Sequence, residues 1–281
     1  MRISILVDNN TLEFLSAEFG FSCYVEVDNK KLLFDTGYSN VFIENAFKLA
    51  INLYDIDFLT FSHGHEDHTW GLANLIQTYM QRVETKHNLV KPTLVCCPGV
   101  LEPKWLLDGH QNGMLVNKEA IASFFSIKLS NEPVWLTENM VFLGEIERKL
   151  DFEKNAYKEN VLPGKIMING QLQEDRILDD SAIACKTKNG LVIITGCSHS
   201  GICNIIEHAK KVCYEQRVVD IIGGFHLINT DDYRLGKVCE YFKKLNLENL
   251  HMCHCTDFKA KERLEKVAPV QKTGVGLVLE Y

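Results

Sequence analysis

No stretch of the chain approaches the ~18 consecutive apolar residues that a membrane-spanning helix needs, so no membrane association is expected. Basic residues are also in deficit. The 281 residues carry 30 Lys and Arg against 37 Asp and Glu, a formal net charge of −7. That balance argues against nucleic acid as a partner held by broad electrostatic attraction, and leaves room only for a local basic pocket for a phosphate. The opening MRISILVDNN lacks a long apolar segment and a small-residue cleavage site, and reads as a first strand rather than a secretory leader. Paired Cys-x-x-Cys motifs are absent, which removes a structural zinc ribbon. The ten cysteines are irregularly spaced, and without a leader they are expected to be reduced thiols of a cytoplasmic protein. Solenoid-period repeats and low-complexity tracts are missing too.

What is present suits a folded α/β chain. A hydrophobic fraction of 46% can bury a core without covalent staples. Ile3, Ile5 and Val7 alternate as in a half-buried strand, and 21–27 and 31–35 form a hairpin about Asp28-Asn29. Helical spacing covers 40–50 and 70–81, with apolar strands at 57–62 and 93–97. A mixed stretch at about 101–163 is expected to be a lid or wall, with a hairpin at 133–146 turning at Glu138-Asn139. Beyond it, strands at 181–184, 191–195, 218–222, 250–253 and 276–280 alternate with helices at 202–212, 232–245 and 259–267. Several strands end in histidine turns: Ser62-His63, Cys197-Ser198-His199, Phe225-His226 and Cys253-His254. Strand ends converging on one rim are where α/β proteins build their sites.

The strongest signal is His63-Gly64-His65-Glu66-Asp67-His68, set between an apolar strand and a helix. A tight loop can aim two imidazoles, two residues apart, at one ion. The next turn then aims Asp67 and His68 at a second. Neutral imidazole and carboxylate suit zinc, iron or manganese. The bland alternative is a histidine-rich helix start with Asp67 as the cap, but a helix N-terminus disfavours cationic histidine.

H-G-H-E-D-H resembles the H-x-H-x-D-H signature of the metallo-β-lactamase superfamily. Leu33-Phe34-Asp35-Thr36-Gly37 and the run GLVIITGCSHSG at 190–201 resemble its other strand-end motifs. G-G-F-H-L at 223–227 and C-H-C-T at 253–256 resemble the branch containing dihydropterin–ribofuranosylaminobenzene-phosphate synthases and metal-dependent hydrolases. The resemblance implies one α/β (α+β) domain over 1–281, a four-layer αββα sandwich with a metal site between the sheets. It implies two divalent ions, zinc foremost, with iron or manganese as alternatives. His63, His65 and His199 would hold the first, and Asp67, His68 and His254 the second. Cys197 stands where many members carry a bridging Asp, so it is a candidate ligand or a residue packed beneath the site. Asp35 would orient the metal loop or merely shape a turn, and Trp70 would narrow the pocket. His226 is expected near substrate, and Asp67 is a candidate proton acceptor. Cys253 and Cys255 are expected to pack away from His254 on strand alternation. His87, His110, His208 and His251 carry no pattern.

The implied activity is metal-assisted hydrolysis of an ester, phosphoester or cyclic amide of a small molecule, phosphorylated or not. A pterin synthase-like transferase acting on a phosphorylated substrate is the second reading. A serine hydrolase using Gly196-Cys197-Ser198-His199-Ser200 as a nucleophile elbow is a remote third, because it leaves the His63 cluster unexplained. A non-catalytic metal module is disfavoured by six ligands, more than one closed site takes. A flavoprotein oxygen reductase is disfavoured because the second motif histidine is intact. Oligomeric state is left open.

Overall fold

The computed structural model describes residues 1–12, 14–84, 90–156 and 164–281. Two β-sheets face one another. The first has seven strands in the order Val278–Glu280, Arg2–Val7, Ser22–Val27, Lys30–Phe34, Phe58–Thr60, Thr93–Cys96 and Ser126–Leu129. Its first four strands pair antiparallel. The hairpin turn is the expected Asp28-Asn29, whose φ of 52° and 58° match the right-handed twist of the flanking strands. From Lys30–Phe34 onward the pairing is parallel. Parallel neighbours need long crossovers, supplied here by segments carrying the helices Val41–Lys48, Leu72–Glu84 and Lys118–Phe124.

The second sheet runs His251–Met252, Val218–Gly223, Gly190–Thr195, Ala182–Thr187, Met140–Phe142 and Val134–Trp135. Side-chain alternation shows how it is covered. Met140, Phe142, Ile183, Cys185, Val192 and Ile194 enter the core shared with the first sheet. Val141, Ala182, Ala184, Leu191 and Ile193 enter a separate core with residues of helices Ile202–Cys213 and Asp232–Phe242. A strand buried on both faces must lie between two layers, so the order is helix, sheet, sheet, helix. Each fully buried Ile or Val contributes about 1.5–3 kcal/mol by leaving water. The αββα sandwich expected from the sequence is the observed arrangement.

The segment 101–163 departs from expectation. Ser126–Leu129 is an edge strand of the first sheet, and Val134–Trp135 with Met140–Phe142 closes one edge of the second. The latter two strands are the hairpin expected at 133–146, whereas the half-exposed Ser126–Leu129, which carries Lys128, reads in the sequence as part of an irregular insertion. The true wall is a small antiparallel sheet of Lys104–Trp105, Lys165–Ile168 and Gln171–Glu174, which extends past 163. Residues 157–163 of the expected lid, and His87, lie outside the described residues.

Candidate metal centre

The chemistry-bearing residues all follow the C-terminal ends of parallel strands. Asp35 follows Lys30–Phe34, the histidine loop follows Phe58–Thr60, Cys197 to His199 follow Gly190–Thr195, His226 follows Val218–Gly223, and His254 follows His251–Met252. Four of these turns place a non-glycine residue in the left-handed region: Asp35 (φ 56°), Ser198 (φ 60°), His226 (φ 47°) and His254 (φ 47°). Each costs about 1–3 kcal/mol, and such strain persists where the surroundings hold it in place.

The histidine loop is pinned from both sides. Asp35 accepts from Ser62 N and Ser62 Oγ, both at 2.7 Å, and its Oδ2 lies 2.7 Å from His68 Nδ1. On the other side Gly64 N donates to Asp179 Oδ2 at 2.9 Å. The buried Lys104 ammonium clamps Asp179 at 2.8 Å and Asp175 at 2.9 Å. Glycine is required at 64, since a Cβ would lie 2.7 Å from Lys104 Cε and 2.9 Å from the Val100 carbonyl. Asp67 is not a helix cap. The N-cap of the short helix Glu66–Thr69 is His65, without a side-chain cap bond. The Asp67 carboxylate instead lies 3.1 Å from His254 Nε2 and 3.5 Å from His68 Nε2.

Six histidines crowd the centre. His63 Nε2 is 3.0 Å from His65 Nδ1. The ring of His199 lies 4.7 Å from His63, 4.9 Å from His65 and 4.3 Å from His226, between centroids. His68 and His254 are 5.1 Å apart. Two groups of donor atoms are close enough to share an ion: His63, Cys197 and His199, and Asp67, His68, Cys197 and His254. Cys197 is common to both, and its sulfur lies 3.2 Å from His68 Nε2. Six of the eight sequence candidates fall in these groups; His65 lies beside His63 and His199 but in neither group, Asp35 holds His68, and His226 adjoins His199.

Electrostatics divides the cluster. Burial, and then the neighbouring imidazoles, hold His63 and His199 well below the ordinary histidine value. They are neutral, the form that binds metal. Burial also lowers His68, but Asp67 and Asp35 overcome it and raise His68 to about 9. Burial alone would raise Asp67, but His68 and His254 hold its carboxyl well below the usual range. Burial pushes the Cys197 thiol up. Fit to a metal rests on a further observation. Among the described residues, neither ring nitrogen of the buried His199 has a hydrogen-bond partner, nor does His226 Nδ1. Buried polar atoms are otherwise nearly always paired. This donor set of imidazole, carboxylate and thiol matches zinc-type chemistry.

A cavity of about 270 Å³ opens over the cluster. His65, Asp67, Cys197, His199, His226 and His254 form its floor, and Phe19, Leu106, Ile177 and Ile228 supply apolar walls. Trp70 is not among its lining residues; its indole N–H donates to the Gly113 carbonyl at 2.8 Å.

Several expectations change. Cys253 packs in the core, but Cys255 lines the cavity, because the left-handed φ of His254 breaks strand alternation. Ser198 is not a nucleophile: it is fully buried, and its Oγ donates to the Gly224 carbonyl at 2.7 Å and pairs with Thr195 Oγ1 at 3.0 Å, with no histidine base on it among the described residues. Of the unpatterned histidines, His208 contacts the Leu143 carbonyl and His251 pairs with Asp220 in the interior, while His110 is exposed beside Asp108. The reading from sequence missed Asp8 and Asn9, which hold the backbone N–H and Nδ1 of His254 at 2.7 Å and 3.0 Å. Their signal was Asp-Asn-Asn directly after the first strand. It also missed Lys104, Asp175 and Asp179, which local pattern does not mark.

The profile of the metallo-beta-lactamase superfamily matches residues 16–93. The chain is 33% identical over 257 residues to 7,8-dihydropterin-6-methyl-4-(beta-D-ribofuranosyl)-aminobenzene-5'-phosphate synthase of Methanocaldococcus jannaschii, covering 87% of this chain and 83% of that protein. It is 28% identical over 265 residues to an uncharacterized protein of the same organism, covering 94% of each. A solved structure described as a metal-dependent hydrolase of the beta-lactamase superfamily superposes with a TM-score of 0.81 at 28% identity, covering 100% of this chain and 99% of that one.

Proposed function

The chain belongs to the metallo-beta-lactamase superfamily, and from that membership we propose that it is a metal-dependent hydrolase acting on an ester, phosphoester or cyclic amide of a small molecule. The observation that carries the reading is His199: a buried, neutral imidazole with both nitrogens unpartnered among the described residues, beside His63, His65 and Cys197. His63, His65 and His199 would hold one divalent ion, and Asp67, His68 and His254 a second, with Cys197 between them. Zinc fits this donor set best, and iron or manganese would also be accepted. Such ions supply Lewis acidity and activate water at neutral pH.

The chain's own residues do the rest. Asp67, kept ionised by His68 and His254, accepts a proton at Oδ2 from the attacking water. His226 reaches the cavity with Nδ1 unpartnered among the described residues, and there it orients or protonates the leaving group. Asp35 fixes the ring of His68. Phe19, Leu106, Ile177 and Ile228 give the cavity apolar walls and favour a substrate with an apolar body. A transferase of the synthase type is the second reading, supported by the 33% identity to a protein of that name. The test is a panel of esters, phosphoesters and lactams or lactones, run with the zinc-loaded protein and after chelation. Chelator-sensitive turnover of a single substrate supports the hydrolase. Turnover only when a second substrate is added supports the transferase.

A further inference from the structure

Cys197 belongs to both groups of atoms able to hold an ion, so any change at its sulfur reaches both. Its neighbour is a second thiol. Cys255 Sγ donates to the Cys197 carbonyl oxygen at 3.6 Å, which sets the second thiol against the residue that carries the first. Both line the same cavity, and none of the other eight cysteines does. The backbone fixes the pairing. Gly224 N donates to the Gly196 carbonyl at 2.9 Å, tying the strand end that carries Cys197 to the next. Gly224 leaves the space that Cys255 occupies, since a Cβ there would lie 2.5 Å from its sulfur. The left-handed φ of His254 turns Cys255 to the cavity side, and its sulfur accepts from His226 N at 3.3 Å.

We propose that Cys197 and Cys255 are a dithiol that a peroxide-class oxidant entering the cavity converts to a disulfide, and that metal loading and disulfide formation exclude each other. The second half rests on the metal reading above, and the first does not. One thiol attacks a peroxide oxygen, breaking the O–O bond and giving a sulfenic acid and water. The other thiol then displaces water from that sulfur to form the S–S bond. In sum, two thiols and hydrogen peroxide give one disulfide and two waters; the sulfurs lose two electrons and the peroxide gains them. An ion on Cys197 withholds its lone pair from the oxidant. A disulfide in turn removes the thiolate charge that ligation requires.

The test treats metal-free and zinc-loaded protein with hydrogen peroxide, then alkylates, digests and weighs the peptides. In the metal-free protein, two of the ten thiols should disappear, in one peptide pair joining Cys197 to Cys255, and excess dithiothreitol should restore them. The zinc-loaded protein should cross-link roughly tenfold or more slowly, and the cross-linked protein should take up less zinc. Cys197→Ser and Cys255→Ser should each abolish the cross-link. A metal-free protein that keeps its thiols, or joins other cysteines, overturns the proposal. Equal rates with and without zinc overturn the exclusion. If reduced protein takes up no zinc yet cross-links, the metal reading falls and the dithiol stands.

Discussion

Asp35 Oδ2 lies 2.7 Å from His68 Nδ1, with both side chains fully sealed from solvent. The carboxylate fixes which nitrogen of His68 carries its proton and turns Nε2 toward Cys197 and Asp67. Asp35→Asn weakens that acceptor, and Asp35→Ala also strips Ser62 of its partner. The ion shared by Asp67, His68 and His254 should bind about 10–100-fold more weakly in either variant, more so in Asp35→Ala. Zinc competition titration checks this; wild-type affinity in both variants would contradict it.

The same pair sets a pH dependence. His68 is raised from the ordinary 6.5 to about 9 in the metal-free protein. A histidine raised on folding contributes stability that is fully present below about pH 6.5 and lost as pH climbs through about 9. Metal-free protein should therefore lose thermal stability over that window. Metal needs the neutral ring, so uptake should expel this proton, and affinity should rise by up to about tenfold per pH unit until about pH 9. Titrations in buffers of different ionisation enthalpy measure the protons released.

Gly64→Ala should shift the loop carrying His63 and His65, because its Cβ would meet a lysine locked by two carboxylates and a backbone carbonyl. Expected is about a tenfold or greater loss of affinity for the ion on His63, His65 and His199. Lys104→Met should act differently. It strands Asp175 and Asp179 in the interior and should cost about 3–5 kcal/mol of stability, read by denaturant unfolding.

The strands and helices were legible where burial is two-sided or strictly periodic, as at 191–195 and 202–212. The strand Ser126–Leu129 was not, because this edge strand exposes every other residue and carries Lys128. The histidine loop announced itself by local spacing. The role of Cys255 did not, since it depends on one left-handed residue, His254, that no side-chain pattern reveals. Lys104 and Asp179 were hidden for another reason: they are 75 residues apart in sequence and meet only after the wall folds onto the metal loop.

Cys197 gives a two-sided test. Burial keeps its thiol protonated in the metal-free protein, so ligation must release that proton as well. Cys197→Ala should weaken both ions, since the sulfur belongs to both donor groups. Cys197→Asp should retain binding, because carboxylate oxygen also suits these ions. If Cys197 only fills space, the Ala variant would bind normally, and the Asp variant would be destabilised by a buried unpaired charge.

The central claim is that this cluster of histidines, with Asp67 and Cys197, is a metal site. Titration of the chelator-stripped, reduced protein with zinc, followed by calorimetry and elemental analysis, tests it most directly. The account predicts more than one and up to two tightly held ions per chain, with His63→Ala and His199→Ala losing one and His254→Ala weakening the other while the fold is kept. Folded wild-type protein that takes up no ion, or variants that keep both, would contradict it.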